Sequence, residues 1–472
     1  MIGRAMKFTS PTLLAAAAAL AGCAGFSADG GLGPAQQAAQ QRLANKELVW
    51  ARSDAERDRI DARVAELLRA PLTADAAVQV ALFNHRGLQA GFHDLGISEA
   101  ELVQASRLPN LGFSFAKLKA GEAREIERGF HFSLARLIAM PWLRAAAQRR
   151  FEATQGAVAL RVLEHGAVTR KAWVQAVAAQ EGVRYAQQVM RAAEASAELA
   201  RRMQQVGNFS TLQRAREQAF YADAALGVAR AEQAERSARE KLTRLMGLWG
   251  TQTSFLLPER LPDLPRSAKD LPDVERMALA QRFDVQGARL AAQQLATQQG
   301  LTGVAVFTDG LEIGVLRNSY SDAPPQRGWE LGLELPLLDG GGARRASAEH
   351  GVRQAMLRAE QTAIDARSEV REAYGAYRSA FDIARHHLDE VVPLRQKIQG
   401  ENVLRYNGML IGVFELLADA RLQIASVNAA IDAQRDFWLA EADLDMALIG
   451  KPSMTPMAGP NKPMGAGEGE AH

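Results

Sequence analysis

The stretch WLRAAAQRRFEATQGAVALRVLEHGAVTRKAWVQAVAAQEGVRYAQQVMRAAEASAELARRMQQV, residues 142–206, decides the fold. It is rich in Ala, Leu, Gln, Arg and Glu, all good helix formers, and it carries no Pro. About 60 residues at 1.5 Å each make an arm on the order of 90–100 Å. A globular helix is a fraction of that length. An arm this long without a membrane-grade apolar run is expected to pack side by side with others as coiled coil. The chain turns at Gly207 and returns through Ser210 to about Gly247. The arrangement then recurs. A second arm runs from Arg344 to about Arg405, turns near Gly408 and returns from Val413 to about Gly450.

Length alone, 472 residues, suggests two or three domains, but the duplication argues for one pseudo-symmetric body. A formal charge of +2, with both signs interleaved along helices, gives no basic field for nucleic acid. The chain starts with a basic segment at Arg4 and Lys7, then an apolar run from Leu13 to Leu20 too short to span a bilayer. Leu20-Ala21-Gly22-Cys23 follows. Cys23 is the only Cys, so no disulfide is available within one chain.

Gln36 to Arg69 reads as a charged amphipathic helix broken by Pro71, and Thr73 as the N-cap of a helix to about Arg107. Beyond Leu108-Pro109 the period changes to two. Large apolar residues alternate with small or polar ones in Leu111–Ala116 and again in Phe130–Leu137. The polar run from Lys119 to Gly129 reads as the loop between two strands, with Pro141 closing the pair. Residues 248–273 carry Pro258, Pro262, Pro265 and Pro272 and divide the halves. The second half repeats the order: a helix over Val274–Gln299, period-two segments in Val304–Val315 and Trp329–Leu335, and a polar loop from Arg317 to Gly328 between them. Pro336 closes that pair, and Gly340-Gly341-Gly342 reads as a strand-to-helix corner. In the strands, Phe130, Phe132, Leu134, Trp329, Leu331, Leu333 and Leu335 face one way, and His131, Ser133, Arg136, Glu330 and Glu334 the other.

This periodicity fits two settings equally: a soluble sheet on a core, or a membrane barrel with its apolar face on lipid. Open sheet edges are prohibited in a bilayer, and single-chain barrels need about eight strands. Four strands in a membrane would therefore have to share a barrel with other copies.

Several segments bear on the choice. Leu20–Cys23 resembles the bacterial lipoprotein cleavage box, which implies acylation, palmitate included, at Cys23. Ala81-Leu82-Phe83-Asn84-His85 with Leu108-Pro109-Asn110-Leu111, Leu333 to Gly341, Arg405-Tyr406-Asn407-Gly408 with Phe414 to Ala420, and Leu444 to Gly450 together resemble the TolC-like outer-membrane efflux protein family, in its lipoprotein branch. Val206-Gly207-Asn208-Phe209-Ser210 through Leu245-Met246-Gly247 is the equivalent in the first half. Two departures stand out: Gly300-Leu301 replaces the Leu-Pro signal ahead of the third strand, and the last hairpin carries an extra residue between Gly408 and Phe414.

The resemblance implies an α+β membrane protein: a long helical tunnel plus four strands per chain in a trimeric twelve-stranded barrel. It implies a passive duct of a tripartite export system in the outer membrane, joined to a periplasmic adaptor and an inner-membrane transporter. The expected organisation is a signal peptide over 1–22, an N-terminal segment of an equatorial region over 23–72, repeats over 73–247 and 274–450, a linker over 248–273, and a disordered tail over 451–472. The rival is a periplasmic coiled-coil lipoprotein acting as adaptor or scaffold.

No Ser/His/Asp order, Walker loop or HExxH motif is present, so no catalysis, cofactor or resident metal is expected. The adjacent His386 and His387 diverge by about 100° on a helix and cannot chelate together. Glu415 and Asp419, at i and i+4, share a helix face just past the second turn. The resemblance places them at the periplasmic aperture, where trimerisation would multiply them into rings that favour cations. The plain reading is an exposed acidic pair. The two turns, Gly207-Asn208-Phe209-Ser210 and Gly408-Met409-Leu410-Ile411, are the candidate surface for the adaptor, or else simply close their hairpins.

Overall fold

Where the long-arm pattern begins, the chain forms one helix of 72 residues, Leu134–Gln205. The computed structural model describes residues 25–308, 311–333 and 341–454. The lipoprotein-type segment with Cys23, most of the Leu333 to Gly341 stretch and the tail from 455 lie outside them. In chain order the elements are α1 (Gly33–Arg42), α2 (Asp54–Leu67), α3 (Ala74–Asn84), α4 (Arg86–Ala105), β1 (Gly112–Ala120), β2 (Ala123–Ser133), α5 (Leu134–Gln205), α6 (Thr211–Met246), α7 (Val274–Gln281), α8 (Phe283–Thr308), β3 (Glu312–Tyr320), β4 (Gln326–Gly332), α9 (Gly342–His386), α10 (Val392–Asn407) and α11 (Val413–Ala447). The protein is mostly helical, with one four-stranded antiparallel sheet in the order β1-β2-β3-β4.

The described residues sort into two compact units. The first comprises Ala90–Ala159, Asp284–Ala363 and the chain up to Gln37, and it holds the sheet. Its N-terminal segment is tied down by specific bonds. The Ser27 amide donates to Glu99 at 2.5 Å. The Asp29 carboxylate accepts from the Gly31 and Gly33 amides at 3.1 and 2.9 Å, at the start of α1, and these bonds hold its pKa below the usual carboxylate value. Gly31, at φ +80°, lies against the Phe151 ring, where a Cβ would not fit.

The second unit comprises Ala38–Gln89, Leu160–Phe283 and the chain from Ile364. One apolar cluster joins Leu72, Val80, Val177, Leu242 and Phe255, and another joins Val370, Tyr377, Phe381, Phe437 and Leu444. The Pro-rich stretch lies along the helices and is held through its carbonyls. Gln180 donates to Pro258 O at 3.0 Å, and Gln434 and Trp438 donate to Pro262 O at 2.7 and 3.1 Å. Proline lacks an amide donor, but its carbonyl still needs a partner. Lys171 and Asp443 form a buried ion pair at 2.6 Å, and Lys171 also donates to Ser453 O at 2.5 Å, pinning the start of the C-terminal segment.

The helices are more broken than the periodicity predicts. The expected helix 36–69 is α1 and α2, separated by a turn with Ala44 and Asn45 at positive φ. The expected helix 74–107 breaks at His85 (ψ 112°), and the one from 274 breaks at Arg282 (ψ 125°). Tertiary contacts dictate both breaks. Asn84 donates to the Met246 and Gly247 carbonyls at 3.3 and 2.7 Å, and the Phe283 amide donates to Ile449 O at 2.9 Å. The second arm is interrupted by a π-turn, His387–Val391, just ahead of Pro393, which cannot donate to the preceding turn.

The strands are longer than their apolar cores. Lys119–Gly129 is not a loop: β1 runs to Ala120, a two-residue turn at Gly121 (φ +64°) and Glu122 follows, and β2 starts at Ala123. Likewise β3 runs to Tyr320 and β4 starts at Gln326, where a loop from Arg317 to Gly328 was expected. Val304–Thr308 is the end of α8, not strand. Short apolar runs fit either period. Pro141 lies inside α5 and does not precede it, because the helix starts directly at the end of β2.

Candidate functional site

The sheet has two chemically distinct faces. Register places Phe113, Phe130, Val315 and Trp329 in one row across all four strands. All four are exposed, Trp329 to 74%. Phe113 and Phe130 are in ring contact, with centroids 5.1 Å apart. The next row toward the helices is Phe132, Ile313 and Leu331. Toward the hairpin turns the same face carries Phe115 with Arg128, Arg317 and Arg327, then Lys117, then Lys119 and Arg124.

The opposite face carries Glu125, Glu127, Glu312 and Glu330, among glycines, Ser114 and Ala116 and a few larger residues such as Leu118 and Leu316. There Glu125 accepts from Asn318 at 3.1 Å and Gln326 accepts from Tyr320 at 3.3 Å, bridging β2, β3 and β4. Gly112 leaves room for the His131 imidazole, which overlies it. Every Lys and Arg of the four strands is thus on the apolar face, and every carboxylate on the other.

The hairpin turns of the second unit are built from short-range signals. At Gly207 the backbone takes φ +81°, and Ser210 caps α6 in a reciprocal box with Gln213. Asn208 and Ser210 are exposed, but Phe209 is buried, packed with Ala200 and with Val413 at the start of α11. At the other turn Gly408 has an ordinary φ of −81°, and Met409 takes the left-handed conformation at φ +58°. Met409 and Leu410 are exposed to 93% and 73%, and Ile411 is half-buried. Glu415 is exposed, whereas Asp419 is half-buried and accepts a hydrogen bond from the buried Asn402 on α10. The two carboxylates therefore share a face of α11 but not an environment.

One group near these turns has no counterpart among the residues singled out from the sequence. Glu217 on α6 is 2% exposed. It accepts from Ser196 Oγ at 2.6 Å and from Arg421 of α11 at 2.8 Å, and the Arg421 guanidinium lies 4.4 Å over the Phe220 ring. The local signal is spacing: Glu217 sits one heptad before Ala224, also buried, so it lies on the packed seam. His386 pairs with Glu390 at 3.3 Å rather than with His387. Among the described residues no group of three or more His, Cys, Asp or Glu is placed to hold a metal, and no helix is long and apolar enough to cross a membrane.

No family model matches the sequence, and no curated protein matches it. Solved structures do. A membrane protein from Pseudomonas aeruginosa superposes with a TM-score of 0.68 at 19% identity, over 80% of this chain and 90% of that one. The Campylobacter jejuni CmeC outer membrane channel gives 0.66 at 15% identity, over 85% and 89%. The outer membrane protein VceC of Vibrio cholerae gives 0.66 at 16% identity, over 84% and 99%. The chain has the TolC-like outer-membrane channel fold. The resemblance read from scattered short segments is therefore borne out at the level of fold, across most of the chain.

Proposed function

We propose that this chain is a passive outer-membrane duct of a tripartite export system, with three copies closing one twelve-stranded barrel. One observation carries the reading: the row Phe113–Phe130–Val315–Trp329 is exposed across the whole sheet. An apolar face of that extent needs a cover, and lipid is one. The strands β1 and β4 are sheet edges, which a bilayer does not tolerate unpaired. Pairing β4 of one copy with β1 of the next removes every edge. The carboxylate face then lines the lumen. A soluble adaptor or scaffold would bury the aromatic row under protein.

In this reading the turns of the two helical hairpins face the periplasm. Glu415 and Asp419 form acidic rings at the aperture. Gly207–Ser210 and Gly408–Ile411 meet a periplasmic adaptor, with Met409 and Leu410 supplying the accessible apolar contact, since Phe209 is committed to packing. The inner-membrane transporter supplies energy and most of the cargo specificity. Acylation at Cys23 anchors the chain, and the two halves serve as structural repeats around the Pro-rich linker.

The test is a planar-bilayer recording of the detergent-purified protein alongside its oligomeric mass. Discrete, cation-preferring steps from a trimer are expected. A species soluble without detergent and without conductance would overturn the proposal in favour of the adaptor or scaffold.

A further inference from the structure

The cations of the sheet are not scattered. Arg128, Arg317 and Arg327 occupy consecutive strands in one register row, so neighbouring guanidinium groups start about 5 Å apart at the backbone. Lys117, Lys119 and Arg124 continue the same face toward the hairpin turns. All six are exposed. Among the described residues none of them has an ion-pair partner, and the strand carboxylates lie on the opposite face.

Like charges directly across a sheet repel. A row of three arginines is therefore costly unless an anion neutralises it. On this face nothing within the sheet does. The row also adjoins exposed aromatics on one side and the turns on the other. A charge at the bilayer midplane of such a face is strongly disfavoured, and the cost vanishes near the interface. The rank is thus compatible with lipid only at the membrane boundary on the turn side. Arginine presents a planar fork that takes two oxygens of one phosphate, and a lysine adds a point charge.

We propose that Arg128, Arg317 and Arg327, with Lys117, form a belt that binds phosphate-bearing lipid headgroups at the turn-side edge of the membrane, their acyl chains lying on the aromatic row. The proposal rests on the reading of that face as lipid-facing. The ligand is a lipid and not a soluble anion, because the apolar surface continues without a break below the cations.

The test uses the full chain reconstituted in phosphatidylcholine vesicles with and without phosphatidic acid. The lipids retained on gentle extraction are counted by native mass spectrometry. The wild type is expected to enrich phosphatidic acid at least about tenfold, given what each basic residue at an anionic surface contributes. The triple variant Arg128→Gln, Arg317→Gln, Arg327→Gln is expected to lose most of that enrichment while still inserting and conducting. Enrichment unchanged in a conducting triple variant would overturn the belt and leave the channel reading intact. Failure of the wild type itself to insert in either vesicle would overturn both. Excess inorganic phosphate is expected to leave the enrichment in place. Its complete loss would assign the site to soluble anions and sink the lipid proposal.

Discussion

Arg421 on the last helix donates to Glu217 on the return helix of the first hairpin, at 2.8 Å, so two residues 204 apart in sequence tie the two hairpins together. Glu217 is buried and Arg421 is about a third exposed. Deleting a fully buried partner costs about 3–5 kcal/mol, so the expected cost of Arg421→Ala, after solvent screening, is about 2 kcal/mol. Ser196 keeps one bond to the carboxylate, which limits the loss. The urea midpoint should fall in Arg421→Ala, and Glu217→Gln should recover part of that loss in the double variant. In bilayers, looser hairpins are expected to raise single-channel conductance. Additive losses in the double variant would mean that the pair does not couple the hairpins.

Glu415 and Asp419 are proposed to act together, yet their settings differ. Exposed Glu415 is screened by solvent, while Asp419 is fixed by Asn402. Fixed charge selects ions better than mobile charge, so Asp419→Asn is expected to reduce cation preference more than Glu415→Gln. Reversal potentials across a salt gradient measure this directly. A double variant with undiminished cation preference would return the pair to the role of an ordinary solvated face.

Gly247 ends α6 at φ +66°, and a Cβ there would meet the Asn84 carbonyl oxygen at 2.9 Å and His85 Cα at 3.0 Å. Those are backbone atoms, held by the Asn84 hydrogen bonds to the same turn. The left-handed conformation alone costs a side chain roughly 1–2 kcal/mol. Gly247→Ala is therefore expected to destabilise by about 2 kcal/mol or more once the contact is added. Gly227, inside α6 with open space around it, is the control. Gly227→Ala should be neutral or stabilise by about 0.5–1 kcal/mol through helix propensity. Equal effects at the two sites would show that the turn is not constrained.

These residues also mark how far the sequence could be read. Turn and cap chemistry is local, so the reversal at Gly207 and the start at Ser210 were visible in advance. The alternation in Phe113-Ser114-Phe115 and Phe130-His131-Phe132 was visible for the same reason. The continuation of β2 through Arg124-Glu125-Ile126-Glu127-Arg128 was hidden, because charge of one sign points to one face and the opposite sign to the other. Polar on both sides reads as loop, and only the register separates the signs. The breaks at His85 and Arg282 arise from partners more than 160 residues away, at Gly247 and Ile449, and leave no local mark. The partner of Glu217, Arg421, is equally distant in sequence, and only the heptad spacing to Ala224 marks Glu217 locally.

His85 and His165 stack with ring centroids 4.1 Å apart, beside the Gly247 turn, and His165 Nε2 lies 2.9 Å from Leu245 O. Burial lowers the pKa of both. For His165, burial and the neighbouring His85 lower it to about 4 from an ordinary 6.5. A depressed histidine is neutral in the fold but charged in the unfolded chain between those two values. The stability it supports is therefore fully present above about pH 6.5 and is lost as pH falls toward 4. The shift corresponds to about 3 kcal/mol over that window. His165→Gln removes the more strongly shifted of the two groups, so its unfolding midpoint should decline less steeply than the wild type's over this window, His85 supplying the remainder. Equal acid sensitivity in the variant would place the pH dependence in other groups, and not in Asp29, whose depressed pKa gives stability that is lost only at still lower pH.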